Sequence, residues 1–421
     1  MATSLNSNKT WLSPSVLEVL RAKRQQELAN LAAEYTDSEN GFFVYDLDAL
    51  SAHLNHLVDQ DVVKLWFAVK ANPLSKVLQT LDNQGFNFDV ASTGELTQVQ
   101  RQGVEGRRIL NTGPAKSKKQ LHHFIKAGVE TFVVESINQL TWLNEVAQQY
   151  ASFKPRVLLR VQLQWQEGEK NPLGGNSVTP FGLGVSEWQQ VDITEFDAVD
   201  ICGLHIFQWG NMLSNEKMYS LWSQMVPPLT SLANELGFEL KILDLGGGLG
   251  IDYLEQGQTL TWSVILQDLA KIKAMAGVEE LWLELGRFAV AECGYYVTPV
   301  VDKKVNFEQQ QLVLGAGINH LLRPAITDQP FPVALVRESQ QQQQDYDLHG
   351  PLCTSMDKLG TLPLPQDVAV DDQLVFGYSG AYGFTESMPF FLCHELAGEY
   401  VIEQGQLSCV RQNQPADVYL A

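Results

Sequence analysis

From residue 41 to 288, short apolar runs alternate with longer amphipathic stretches, the pattern of strand–helix units around a parallel sheet. Eight runs read as strands after the first helix, beginning near Val63, Phe86, Arg108, Glu130, Pro155, Asp200, Glu239 and Leu281. Helical spacing fills the intervals, as in Thr93 to Gln102 and Ser136 to Gln149. Eight such repeats in about 250 residues predict a TIM (β/α)8 barrel, an α/β fold whose function sits at the C-terminal ends of the strands. After Phe288 the pattern changes to short alternating segments bounded by Gly and Pro, among them Cys293 to Val301, Gln311 to Leu314 and Gln373 to Gly377. Residues 289–421 are therefore expected to form a C-terminal β-rich domain. Residues 1–40 are expected to pack with that domain or over the barrel.

Two stretches follow neither period. The polar segment 164–179, rich in Gly, Asn and Pro, predicts a long loop after the fifth strand, a lid or a tolerated excursion. Gln340 to Gln344 predicts a solvated loop tip without a function of its own.

Composition narrows the classes. The 421 residues, 45% of them hydrophobic, suffice for two cores. A formal charge of −20 argues against binding nucleic acid or an anionic membrane, so an anionic ligand must be held by a few local cations and backbone amides. No run approaches the length of a bilayer span and residues 1–10 are polar, so a cytoplasmic protein is expected. Cys202, Cys293, Cys353, Cys393 and Cys409 are an odd count without C-x-x-C spacing, which suggests neither a disulfide framework nor a zinc site. Of these, Cys202, Cys293 and Cys409 read as core residues. The histidines have no ligand-like spacing, and no metal is expected.

Chemistry-bearing residues fall at the predicted strand ends. Lys70 ends the apolar run that starts at Val63, in Phe67-Ala68-Val69-Lys70-Ala71-Asn72. A lysine at the mouth of a buried strand is desolvated unless paired, loses its proton readily and can condense with an aldehyde. Taken alone, it would be an ordinary strand-end lysine that snorkels to solvent. Asp244-Leu245-Gly246-Gly247-Gly248-Leu249-Gly250 follows the apolar segment Leu240 to Leu243 and reads as a phosphate cradle or a tight turn. Its spacing fits neither a Walker loop nor a dinucleotide fingerprint. Glu284-Leu285-Gly286-Arg287 offers an acid for a ring nitrogen and a cation for an anion, or a strand-end ion pair. His205 ends the strand Ile201 to Leu204, where it could stack on a cofactor ring, shuttle protons, or be a satisfied core histidine. Cys353, in Gly350-Pro351-Leu352-Cys353-Thr354-Ser355-Met356-Asp357, could be a general acid or a structural cysteine.

Taken in order, these motifs resemble the fold-type III pyridoxal-phosphate decarboxylases, the ornithine and diaminopimelate decarboxylase superfamily with its alanine racemase-like fold, over roughly Gly41 to Tyr400. The resemblance implies pyridoxal 5'-phosphate as cofactor, carried covalently by Lys70. Asp89 and Ser92, in Phe88-Asp89-Val90-Ala91-Ser92, would line its site, and His205 would stack on its ring. Gly246, Gly247, Gly248, Gly286 and Arg287 would bind its phosphate side, Glu284 its pyridine nitrogen, and Tyr382, in Gly380-Ala381-Tyr382-Gly383, would also touch it. Cys353 would reprotonate the substrate Cα, with Asp357 on the same loop. In this family that loop enters the partner subunit's site, which implies a homodimer with composite sites. An acid at the ring nitrogen favours decarboxylation over racemisation, where an arginine is usual.

Departures from the family pattern bear on the substrate. Arg323 is retained in Gly315-Ala316-Gly317-Ile318-Asn319-His320-Leu321-Leu322-Arg323-Pro324, but Thr327 stands where a substrate-binding tyrosine is usual. Thr354 replaces the acid after the catalytic cysteine that grips a distal amino group, so a distal ammonium would lack a partner. Ala291 to Thr298, the Cys353 loop and Phe391-Leu392-Cys393-His394 look more like the branch acting on citryl-amino acids in carboxylate-siderophore biosynthesis, with Arg323 and His394 as partners for substrate carboxylates. The alternatives are a diaminopimelate or other diamino-acid decarboxylase, an enzyme for a carrier-tethered aminoacyl group, and a non-catalytic cofactor carrier or regulator.

Overall fold

The computed structural model describes residues 11–31, 41–58, 61–150, 153–165, 178–257 and 259–420. Most of the 164–179 stretch lies outside the described residues, and so does much of the 1–40 segment. The chain divides into two compact units, one of residues 53–252 and 257–289, the other of residues 1–52, 253–256 and 290–421.

The strands of the first half of the chain are β1 (Phe42–Asp46), β2 (Lys64–Ala68), β3 (Asn87–Val90), β4 (Ile109–Asn111), β5 (Thr131–Val134), β6 (Arg156–Gln162), β7 (Leu183–Gly184), β8 (Asp200–His205), β9 (Ile242–Asp244) and β10 (Glu280–Leu285). All except β1 and the short β7, which extends β6, form a parallel sheet that closes where β5 meets β6 and β10 meets β2. This is the expected eight-stranded barrel. Its interior is filled by Trp66, Leu110, Val133, Leu158, Cys202, Ile242 and Trp282, each from a different strand. Such layers of inward side chains make the interior a packed core, so chemistry is confined to the mouth. Three successive helices on the barrel's outer ring start from serine caps: Ser92, Ser117 and Ser136 accept the N–H groups of Glu95, Gln120 and Gln139 at 3.1, 3.2 and 3.2 Å. Each cap satisfies an orphan donor and fixes where the loop after its strand ends.

The second unit contains β1 with β11 (Gly294–Asn306), β12 (Gln309–Leu314), β13 (Val333–Leu335), β14 (Gln343–His349), β15 (Lys358–Pro365), β16 (Gln373–Phe376), β17 (Gly398–Glu403) and β18 (Gln406–Arg411). The sheet runs β15-β14-β12-β11-β1-β17-β18, with β16 on β11 and β13 on β16. β1 pairs with β11 and β17 through Phe42, opposite Val297 and Gly398. It therefore belongs to this unit, and the barrel does not begin at residue 41. The helix Pro14–Leu31 contributes Val16 and Leu20 to the same core as Phe42, Val44, Tyr295, Val297 and Val375. The expected polyglutamine loop is only partly a loop, because Gln343 and Gln344 start β14 opposite Pro365 and Leu364.

A buried histidine gives this unit a pH dependence. His320 is 1% exposed, with Nε2 2.7 Å from the Glu395 carbonyl and Nδ1 3.3 Å from the Tyr296 hydroxyl, an arrangement that suits the neutral ring. Burial lowers its pKa from 6.5 to about 4, so the unfolded chain binds an extra proton between those values. The stability it supports is complete above the unfolded pKa and falls as pH drops through the window. Replacing His320 with Gln should flatten that fall, which is at most about 3 kcal/mol, in urea unfolding followed across the window.

Candidate active site

Strand ends at the barrel mouth gather a set of buried ionisable groups. β2 ends at Ala68 and passes into a single 3-10 turn, Val69–Ala71, in which Val69 and Ala71 are buried and the Lys70 side chain is exposed. The lysine is thus presented at the mouth rather than desolvated within it, with Nζ 6.0 Å from the centre of the Phe207 ring. Its charge is felt by Asp89 on β3 and Glu284 on β10. His205 ends β8, Asp244 ends β9, Arg160 lies on β6, and Glu135 directly follows β5. All six of these neighbours are buried.

Water is excluded from these groups, so their charges compete. Burial, then the Glu284 charge, pushes Asp89 up to about 8, against the opposing pull of Lys70 and the Thr112 hydroxyl, which donates to Asp89 Oδ1 at 2.5 Å. Burial and Glu284 also raise Asp244 well above the carboxylate range. Burial pushes Glu284 up as well, but neighbouring positive charges, Lys70 and Arg160 among them, hold it below the ordinary glutamate range. Among Asp89, Asp244 and Glu284, the negative charge therefore resides on Glu284. Burial lowers His205, leaving the imidazole neutral at physiological pH. Its Nε2 lies 3.2 Å from Glu284 Oε1, yet neither atom completes a hydrogen bond, and His205 Nδ1 and Asp244 Oδ2 are also unsatisfied. Ligand atoms of His205, Asp244 and Glu284 fall within 4.8 Å of one another.

Such orphaned buried atoms need a partner from outside the chain. A planar heteroaromatic with a protonated ring nitrogen provides a donor for the Glu284 carboxylate, and the neutral imidazole offers a flat face for stacking. The loop after β9 adds backbone donors. A Cβ on Gly246, Gly247 or Gly248 would meet Phe207 Cβ at 2.5 Å, the Glu284 carbonyl at 2.3 Å or the Trp209 carbonyl at 2.6 Å. The glycines are thus required by the chain's own close packing, and Gly246 and Gly248 adopt φ of +64° and +105°. Gly246 N–H is not available to a phosphate, because it donates to Asp244 Oδ1 at 2.8 Å. Among the described residues no acceptor takes the N–H groups of the half-buried Gly247 and Gly248. Gly286 directly follows β10 and Arg287 opens the short helix Arg287–Val290, both half-buried. Ser92 is exposed, with its oxygen engaged as the cap described above.

In the other unit, Cys353 is exposed on its loop. Asp357 is not available to a substrate: it is 2% exposed and its two oxygens accept Ile318 N–H and Leu352 N–H, both at 2.8 Å. A Cβ on Gly317 or Gly350 would strike its carboxylate at 2.1 or 2.3 Å, so both glycines make room for it. Asp357 is the clamp that ties the Cys353 loop to the Gly317-Ile318 segment. The Thr354 hydroxyl accepts Met356 N–H at 3.3 Å. Arg323 lies 4.2 Å over the Tyr382 ring and donates from Nη1 to both Glu386 oxygens, at 2.6 and 2.8 Å. His394 is half-buried at the end of the turn Phe391–Cys393. Cys409 is exposed on β18, contrary to the core assignment, whereas Cys202 and Cys293 are buried.

The profile of the family described as pyridoxal-dependent decarboxylase, pyridoxal binding domain, matches residues 48–291. The chain belongs to the pyridoxal-dependent decarboxylases. As a decarboxylase of this family it takes pyridoxal phosphate as cofactor. A 2-((L-alanin-3-ylcarbamoyl)methyl)-2-hydroxybutanedioate decarboxylase of Staphylococcus aureus is 27% identical over 84% of this chain and 91% of its own. A diaminopimelate decarboxylase of Pseudomonas aeruginosa is 30% identical over 76% of this chain and 77% of its own. The solved structure of diaminopimelate decarboxylase from Helicobacter pylori complexed with L-lysine shares the fold at a TM-score of 0.81 and 22% identity, covering 94% of this chain and 98% of that one. Among the described residues no helix is long and apolar enough to cross a membrane.

Sequence pattern left three parts of this decarboxylase's mouth unassigned. Asp244 was visible only as the residue before Leu245 and the glycines. Arg160 is a lone cation inside the apolar stretch Val157 to Val161, a signal of a buried charge, and its partner Glu135 sits 3.0 Å from Nη1. Lys116, buried beside them, is lowered to about 8 by desolvation and donates to the Gly113 carbonyl. Removing one partner of a buried pair leaves the other charge uncompensated. Arg160→Leu is therefore expected to destabilise the barrel by about 3–5 kcal/mol in urea unfolding. A surface substitution such as Lys118→Ala, whose pair with Glu145 is half-exposed, should change it by less than about 1 kcal/mol.

Proposed function

We propose that the protein decarboxylates a citryl-amino acid, such as citryl-serine or citryl-diaminopropionate, in carboxylate-siderophore biosynthesis. The observation that carries this reading is the Cys353 loop. Its acid, Asp357, is buried with both oxygens engaged, and Thr354 follows the cysteine, so the loop offers no carboxylate to a substrate's distal ammonium. A diamino acid placed there would keep an unsatisfied charge. The S. aureus relative supports the same class, since its name describes an alanine joined by an amide to a hydroxybutanedioate.

On this reading Lys70, exposed at the end of β2, holds the cofactor aldehyde covalently. Glu284, the anionic member of the buried trio, keeps a proton on the pyridine nitrogen, and Asp89 lines the same pocket. His205 packs its neutral ring on the cofactor face. Gly247 and Gly248 N–H groups with Arg287 hold the phosphate, while Gly246 and Gly286 shape the turns beside them; the Ser92 hydroxyl retains a proton to donate. When bound, pyridoxal phosphate accepts the electron pair that departing carbon dioxide leaves at Cα. Cys353, reaching the partner subunit's site in a homodimer, returns a proton from Sγ to Cα. Tyr382 contacts the cofactor from the same unit as Cys353. Arg323 and His394 face the substrate's carboxylates.

Carbon dioxide release by the cofactor-loaded protein should be confined to citryl substrates when these are compared with diaminopimelate, ornithine, lysine and arginine, with Lys70→Ala as the blank. Turnover of diaminopimelate would refute the substrate class. Cys353→Ala is expected to slow release by about 100-fold or more, with cofactor absorbance retained.

A further inference from the structure

Arg323, the cation assigned to a substrate carboxylate, already holds one. Its Nη1 donates to Glu386 Oε1 and Oε2 at 2.6 and 2.8 Å, and its guanidinium lies flat against Tyr382 at 4.2 Å. The two segments are fixed to each other close by. Ser387 Oγ donates to the His320 carbonyl at 2.7 Å and accepts Leu322 N–H at 3.2 Å, so residues next to each ion-pair partner share one hydroxyl. Tyr382 itself adopts φ +55°, an uncommon conformation for a residue with a side chain, and so presents its ring at a set angle. The pair is neither buried nor free: the side chains are 20% and 31% exposed. Nη2 and Nε of Arg323 make no hydrogen bond to the described residues, so one edge of the guanidinium stays open while the other is covered.

We propose that Glu386 is a specificity-determining residue, an internal carboxylate that occupies Arg323 and that a substrate carboxylate must displace or share. The inference deepens the citryl reading and rests on it for the identity of the substrate. A part-exposed ion pair is weak enough to exchange one carboxylate for another, whereas a neutral or cationic group gains nothing by competing for the arginine. The pair therefore filters by charge: an acid reaching Arg323 restores what the pair loses, and Glu386, released, repels a second anion beside it. Because Tyr382 supports the guanidinium face, the arginine keeps its position while partners exchange.

The test uses citrate as the probe and the cofactor-loaded protein. Citrate binding by calorimetry should tighten about 3- to 10-fold in Glu386→Gln, and the gain should disappear in Glu386→Gln combined with Arg323→Gln. In turnover of a citryl substrate, Glu386→Gln should lower KM by a similar factor with kcat unchanged. Glu386→Asp, which keeps the charge, should stay near wild type in both measurements. Unchanged citrate affinity in Glu386→Gln, or a gain that survives loss of Arg323, would overturn the proposal. Citrate binding needs no turnover, so failure of every citryl substrate to react would sink the substrate class alone.

Discussion

The barrel mouth is organised by the cost of burying carboxylates. Asp89, Asp244 and Glu284 are each less than a tenth exposed, and a pocket this dry cannot keep three negative charges side by side. The structure resolves the conflict by raising Asp89 and Asp244 and leaving the charge on Glu284, nearest the neutral His205. Arg160 takes part from behind: it is tied to Glu135 at 3.0 Å and still bears on Glu284 and Asp244. A single anion with an unsatisfied oxygen suits the role proposed for Glu284, opposite a protonated ring nitrogen. Burial and neighbouring charges thus set which of the three acids carries the charge.

Backbone packing carries the rest of the mouth. The three glycines after β9 lie so close to Phe207, Trp209 and the Glu284 carbonyl that no side chain would fit, and Gly246 N–H is turned onto Asp244. An aspartate that might have been read as a spare acid is therefore the brace of the glycine loop. Asp357 plays the equivalent part in the other unit, accepting two backbone N–H groups and occupying the space that Gly317 and Gly350 leave. In both cases a buried acid beside candidate site residues holds backbone.

The fold was legible because period is local. Each of the eight barrel strands begins within a few residues of its apolar run, since alternation of buried strand and amphipathic helix needs only neighbouring residues to be seen. β1 was misplaced for the complementary reason. Phe42 to Asp46 reads as another buried strand, and only its pairing with β11 and β17, hundreds of residues later, assigns it to the second sheet. Residue types at strand ends singled out Lys70, His205, Glu284 and the glycine loop as candidates, but not which of them would be exposed, neutral or engaged. Lys70 proved exposed and Asp357 buried because solvent access is a property of the packed neighbours, which the linear pattern does not contain.

Substrate charge is the hardest property to read from a chain, because it depends on differences between opposed charges. On the proposed reading, Arg323 would be a cation of the substrate site and Thr354 would leave it without the usual acid, which favours an anionic substrate. Geometry reduces that excess, since Glu386 lies 2.6 Å from the arginine and offsets it. Asp357, the acid of the cysteine loop, is buried and engaged. On that reading the surface offered to a substrate would be one guanidinium edge on an aromatic face, with no free carboxylate on the cysteine loop. Such a balance would disfavour a distal ammonium more firmly than it would favour any one anion, and would select by what a carboxylate can exchange rather than by an empty positive pocket.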